Sequence, residues 1–332
     1  MKANIHGMTV VITGASAGVG RASAHEFARH GARIALIGRD EAALDDVRRE
    51  VEACGGRAIA IALDVSDAAA VEAAATRTET ELGDIDVWVN NAMTTVFAPL
   101  HEISPDDYRR ATEVTYLGYV WGTMSALRRM RSRNRGTIVQ VGSALAYRSI
   151  PLQSPYCGAK HAIRGFTDSV RSELMHERSR VHLTMVQMPA LNTPQFEWAE
   201  CLLPHPPQPV PPIFQPEVAA RAVVWAAAHR RRELYVGSST IKAIWANKFV
   251  AGLLDRYLAH AGYTAQMQDR TVASDRPSNL WNPVPGLHAT HGPFSDRASA
   301  SSPALWLDVN RNWLLAGAAT GLIAVLLAVR RK

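Results

Sequence analysis

The stretch Thr9-Val10-Val11-Ile12-Thr13-Gly14-Ala15-Ser16-Ala17-Gly18-Val19-Gly20 decides the fold. A β-branched apolar run leads straight into a glycine-rich turn, and a helical pattern follows over Arg21–Arg29. Glycines let a backbone turn sharply and approach a pyrophosphate, and the next helix N-terminus offers unpaired N–H groups. The expected phosphate-turn residues are Gly14, Ser16, Gly18, Val19 and Gly20.

Outward from this turn the pattern repeats. Short runs at Arg33–Ile37, Ala58–Ala62, Ile85–Asn90, Thr137–Val141, His182–Gln187 and Leu234–Val236 are nearly continuous in apolar residues. Strands buried on both faces read this way. Ala-rich helical patterns such as Glu41–Ala53 and Ala68–Leu82 separate them. The expectation is an α/β fold, a single Rossmann-type doubly wound parallel sheet with helices on both faces. This domain is expected over residues 1–260, with a substrate lid near 190–215. A Pro/Ser-rich linker is expected over 261–302, and an apolar helix with the potential to anchor in a membrane over 303–332.

The chain has 332 residues, 47% apolar and 20% charged, which excludes a disordered polymer and a disulfide-dense mini-protein. Cys54, Cys157 and Cys201 fit neither a zinc site nor a disulfide framework. No metal is expected, and a reducing, cytoplasmic setting is expected for the catalytic domain. The net charge of +6 is modest, and no recognition module accompanies the arginines, so nucleic acid is not an expected partner.

After the second strand comes Gly38-Arg39-Asp40. An acid at the strand end ordinarily meets the ribose hydroxyls of NAD(H). Gly38 stands there instead, and the Arg39 guanidinium suits a 2′-phosphate. NADP(H) is expected over NAD(H).

The fifth strand ends in Val141-Gly142-Ser143. Tyr156 follows thirteen residues later, and Lys160 four beyond that, inside the helical stretch Pro155–Leu174. Residues four apart share a helix face at about 5–6 Å. An ammonium near a phenol favours the phenolate, which suits a general acid/base.

Together, Thr13–Gly20, Asp64, Asn90-Asn91-Ala92, Ser143 and Tyr156-x-x-x-Lys160 resemble the short-chain dehydrogenase/reductase family. The resemblance covers residues 7 to about 240. It implies that Tyr156 donates or accepts the proton, while Lys160 lowers its pKa and contacts the nicotinamide ribose. Ser143 would orient the substrate oxygen. Asp64 and Val65 would flank the adenine, Asn90 would lie against the cofactor, and Thr193 near the carboxamide. Thr115 stands where the family has an Asn that supports a water-mediated proton relay. Met93 and Ala190 each replace a family glycine at the cofactor rim. Assembly into a homo-oligomer is also implied.

The lid stretch carries Phe196, Trp198, Leu202, Leu203, Ile213 and Phe214, interrupted by Pro204–Pro212. An apolar pocket for a small hydrophobic carbonyl or alcohol is expected. The other function class is a non-catalytic cofactor-binding sensor or membrane-recruited scaffold on the same fold. Trp313–Val329 is 17 residues without a charge, closed by Arg330, Arg331 and Lys332. As a helix it would span about 25 Å, marginal for one crossing of a bilayer core of about 30 Å. Arginines at 128, 129, 131, 133, 135, 178, 180 and 230–232 fall at helix C-terminal ends, on one edge of the sheet. They read as dipole partners or as a face toward anionic lipid.

Overall fold

The computed structural model describes residues 5–314. Seven parallel strands form the central sheet: β1 (Thr9–Thr13), β2 (Arg33–Gly38), β3 (Arg57–Ala62), β4 (Ile85–Asn90), β5 (Thr137–Ser143), β6 (His182–Met188) and β7 (Glu233–Tyr235). Their order is β7-β6-β5-β4-β1-β2-β3. The chain winds outward in one direction from β1 to β3, then crosses back to β4 and winds the other way. The switch falls between β1 and β4, where the strand ends leave a crevice for a ligand. Val10 stands beside Ile34 and Val89 beside Val139, and the register between β1 and β4 shifts once, between Thr9 and Val10.

Helices cover both faces: α1 (Gly18–Arg29), α2 (Glu41–Ala53), α3 (Ala68–Leu82), α4 (Pro105–Thr112), α5 (Gly118–Arg133), α6 (Ser154–His176), α7 (Pro216–Ala228) and α8 (Ser238–Thr264). The two faces of the sheet build separate cores. Val10, Ile12 and Leu36 pack with Phe27 and Val223 on one side, while Val11, Ala35 and Trp88 pack with Val71 and Met130 on the other. This two-sided burial is why each strand reads as an unbroken apolar run. Caps set the helix starts: Asp40 accepts from the Ala43 N–H, and Asp67 from those of Ala69 and Ala70.

Two regions depart from the sequence reading. The boundary expected at residue 260 lies inside α8. The tract expected as a linker is instead laid against the domain. Leu280 and Phe294 are buried in it, and Ala298–Ser299 pairs in parallel with Ile213–Phe214. The tract lacks periodicity because isolated side chains, main-chain carbonyls and one two-residue strand, not a helix face, hold it down. Residues 303–314 are helical, with Leu305 buried in the core and Trp306 and Trp313 exposed. Among the described residues no helix is long and apolar enough to cross a membrane. Beyond Leu314, the expected apolar helix lies outside the described residues.

The Arg128–Arg135 part of the arginine-rich edge is paired with carboxylates. Arg128 and Arg129 meet Glu72, Arg129 also meets Glu79, Arg131 meets Glu177, and Arg133 and Arg135 meet Asp84. Although burial alone would raise it, hydrogen bonds from Arg128, Ser125 and Arg129 hold the Glu72 carboxyl at about 2. Such pairs partly neutralise the Arg128–Arg135 stretch of this edge.

Candidate active site

The glycine turn after β1 is held by its neighbours. Gly14 (φ +66°) and Gly18 (φ +53°) have left-handed backbone that a side chain would strain. A Cβ on Gly14 would meet Ala92 Cα at 2.8 Å, and one on Gly18 would meet Thr193 Cγ2 at 3.1 Å. Gly20 serves a different purpose, since a Cβ there would sit 2.0 Å from the Gly14 carbonyl oxygen. It lets α1 close against the turn and does not itself line the cavity.

One cavity of about 450 Å³ runs along the carboxyl ends of the strands. Gly14, Ser16, Gly18, Val19, Arg39, Asp64, Val65 and Thr193 line it, and so do Ser143, Tyr156 and Lys160. The structure thus brings together eleven of the residues singled out in the sequence. Ser143 ends β5, and its Oγ accepts the Leu145 N–H at 3.1 Å with the Tyr156 phenol beside it. Tyr156 and Lys160 share one face of α6.

Lys160 is almost fully buried and reaches across the domain. Its Nζ donates to the Val141 carbonyl at 2.7 Å and to Tyr119 Oη at 3.1 Å, and lies 5.4 Å from the Tyr156 ring centroid. Tyr119 Oη donates in turn to the Val141 carbonyl at 3.0 Å. Burial pushes the Lys160 ammonium down to about 7. The same burial pushes the Tyr156 phenol up to about 12, opposed by the Ser143 hydroxyl beside it. Within this protein, burial outweighs the lowering expected from the lysine. Tyr119 was not singled out in the sequence. Its role depends on its contact with Lys160, 41 residues away, which no local spacing records.

Two expected site residues are engaged elsewhere. Thr115 lies in a π-helical turn over Glu113–Leu117. Its Oγ1 donates to the Thr94 carbonyl at 2.7 Å and accepts the Thr94 N–H at 3.0 Å. Its donor and one of its acceptor sites are used in tying the loop after β4 to this turn. Asn90 is fully buried beneath the cavity. It accepts from Trp88 Nε1 at 2.9 Å and donates to Gln140 Oε1 at 2.9 Å. Its neighbours Asn91 and Ala92 face the cavity in its place.

At the far end, Asp64 pairs with Arg110 and accepts from Ser66. Burial alone would raise its carboxyl, but hydrogen bonds from Arg110 and Ser66 hold it below the ordinary range. Arg39 borders the same end and donates to the main-chain carbonyls of Asn279 and, at 3.0 Å, Trp281. The Asp40 carboxylate is engaged as the N-cap of α2 and lies 3.1 Å from His288 Nε2.

The lid divides its apolar residues between two tasks. Leu203 and Ile213 pack into a small core with Phe97 and Phe294, whereas Phe196 and Trp198 also border the cavity. Leu202 points outward, 43% exposed. The donor set, the strained glycines and the elongated cavity fit a dinucleotide laid across β1 and β4. Among the described residues no group of three or more His, Cys, Asp or Glu is placed to hold a metal ion.

The fold and this constellation define a nucleotide-binding oxidoreductase, and the family model described as short chain dehydrogenase matches residues 8–199. The chain belongs to the short-chain dehydrogenase/reductase family, whose members use NAD(P)(H). It is 31% identical over 281 residues to the uncharacterized oxidoreductase YxnA of Bacillus subtilis, covering 84% of this chain and 79% of that one. A 3-dehydrosphinganine reductase of Danio rerio is 30% identical over 197 residues, 58% of this chain and 59% of its own. A 17-beta-hydroxysteroid dehydrogenase 13 of Rattus norvegicus is 28% identical over 235 residues, 71% and 76% respectively.

Proposed function

We propose that this chain is an NADP(H)-dependent oxidoreductase that interconverts a carbonyl and an alcohol on a small apolar substrate, with Ser143, Tyr156 and Lys160 as catalytic residues. The observation that carries the reading is a single cavity. It joins the glycine turn to a serine and a phenol at a strand end, with a buried lysine beneath them.

When bound, the nicotinamide supplies or accepts the hydride. In reduction, Tyr156 Oη gives its proton to the substrate oxygen, and in oxidation it takes that proton back. The Ser143 hydroxyl donates to the same oxygen as charge develops on it. One of its lone pairs is held by Leu145, and its proton can turn from Tyr156 to the substrate oxygen. Lys160 brings positive charge beneath the ring when protonated. It titrates near neutrality because it is buried, so modest changes in its surroundings switch that charge. Tyr119 fixes the ammonium and acts as a positioning residue.

The preference for NADP(H) rests on Arg39 bordering the cavity where Gly38 leaves no acid. Asp40, the next acid along, is occupied by its cap and by His288. Titration with NADPH and NADH tests this. Wild type should favour NADPH, and Arg39→Ala should weaken NADPH about tenfold more than it weakens NADH. An unchanged preference rejects the role.

For the substrate, Phe196, Leu258 and Ala261 make the reacting end of the cavity apolar. Two relatives are named for a hydroxysteroid and for 3-dehydrosphinganine, and an apolar carbonyl substrate of that broad kind suits this lining. A panel of apolar ketones and alcohols read by NADPH fluorescence tests the substrate class. No turnover of any member by protein that binds NADPH would favour the non-catalytic sensor.

Association with a lipid surface belongs to the same proposal. Helix α8 exposes Trp245, Phe249, Leu253 and Tyr257 beside Lys242, Lys248 and Arg256, and Tyr257 also borders the cavity. Large apolar groups with flanking cations suit an anionic bilayer interface. Flotation of the full chain with anionic vesicles is expected, and Trp245→Ala/Phe249→Ala should reduce it. Equal flotation of variant and wild type would exclude this face.

A further inference from the structure

The tract after α8 crosses the cavity from its adenosine end to the glycine turn. Three arginines from separate parts of the domain hold its main chain. Arg39 donates to the carbonyls of Asn279 and Trp281, Arg110 to that of Leu280 at 3.0 Å, and Arg21 to that of His288 at 2.8 Å. Trp281 Nε1 donates to Asp107 Oδ1 at 2.8 Å, and the Gly18 N–H donates to the Ala289 carbonyl at 2.9 Å. Between these ties, Asn279, Val284 and His288 line the same cavity as Gly18, Arg39 and Asp64. His288 leans on Trp198, with ring centroids 5.3 Å apart, and its side chain is only 12% exposed. Neither of its ring nitrogens completes a well-aligned hydrogen bond.

We propose that Asn279–Ala289 is a strap forming the outer wall of the dinucleotide site, with His288 as a cofactor-binding residue, and that the cofactor enters and leaves only when the strap lifts. The inference rests on the dinucleotide reading above. Its logic is geometric. The glycine turn forms the inner wall and the strap the outer one, so a dinucleotide laid along the cavity is covered over its adenosine half. A half-buried imidazole facing that half, with Nε2 beside Asp40 Oδ2 and neither nitrogen in a well-aligned bond, is placed to exchange that contact for a phosphate or ribose oxygen. Because the Gly18 N–H is engaged by Ala289, a phosphate that takes this donor must displace that carbonyl. Binding and strap movement are then coupled. Arg39 is also shared, since it borders the 2′-phosphate position and holds the strap at once.

The test uses the full chain and NADPH, with two readouts independent of turnover. Hydrogen–deuterium exchange should slow across residues 279–289 when NADPH is bound. Stopped-flow fluorescence should show NADPH leaving about tenfold faster from Trp281→Ala, which loses one anchor at an exposed position. His288→Ala should weaken NADPH binding at equilibrium by a similar factor. If wild type binds NADPH but exchange in the strap is indifferent to it and both variants match wild type, the strap is overturned and the function reading stands. If wild type binds neither NADPH nor NADH, both fall.

Discussion

Replacing Lys160 by methionine should make the protein more stable at low pH and remove that advantage at high pH. The ammonium is pushed by burial from its ordinary 10.5 to about 7. In the unfolded chain the lysine keeps its proton up to its ordinary value, while in the folded protein it gives it up near neutrality. Between those values the unfolded state binds more protons, so wild-type stability rises with pH; below about 7 the full cost of a buried charge is present. A displacement of that size corresponds to about 5 kcal/mol. Methionine removes this cost but also loses the bonds of Nζ to Val141 and Tyr119. Tyr119 keeps its own bond to Val141, so that loss is about 2 kcal/mol. The net expectation is a variant about 3 kcal/mol more stable at pH 6 and equal to wild type at pH ~9. Urea unfolding followed by circular dichroism across this range measures it. A stability difference that does not change with pH, or one that moves in the variant's favour as pH rises, would refute the reasoning.

Thr115→Val should cost about 2 kcal/mol of stability, since two buried hydrogen bonds to Thr94 are lost. It should leave hydride transfer within about threefold; a collapse in rate without loss of stability would return the proton relay to this hydroxyl. Tyr119→Phe should slow hydride transfer about tenfold and shift its pH profile, because Lys160 loses its side-chain partner while cofactor affinity holds. An unmoved pH profile would make Tyr119 a packing residue only. Gly20→Ala should destabilise the fold by about 1–3 kcal/mol, because its Cβ would overlap the Gly14 carbonyl at 2.0 Å. Wild-type melting with intact NADPH affinity would contradict the close approach.

Most of the sheet was legible because parallel strands buried on both faces leave continuous apolar runs. Thr9–Thr13 and Ile85–Asn90 fall where those runs fall. The glycine turn and the Ser143, Tyr156 and Lys160 set were legible because the chemistry requires particular residue types at particular spacings. The strap was not. Its anchors, Arg21, Arg39 and Arg110, lie between 170 and 267 residues away in sequence and donate to main-chain carbonyls, which leave no trace in side-chain pattern. The partners of Asn90 and Thr115 were not legible, because a short motif records which residue is present and not which partner takes its hydrogen bonds. Burial also reversed one electrostatic expectation. The pairing of Lys160 with Tyr156 is visible in the sequence, while the desolvation that raises the phenol to about 12 depends on the assembled domain.

The account turns on the Tyr156 phenol as the group that exchanges a proton with substrate. Single-turnover oxidation of bound NADPH, mixed rapidly with an apolar ketone that wild type reduces, tests it most directly when wild type and Tyr156→Phe are compared. The account predicts a fluorescence decay in wild type and none in the variant, with the same NADPH affinity in both. Decay at the wild-type rate in Tyr156→Phe would contradict it.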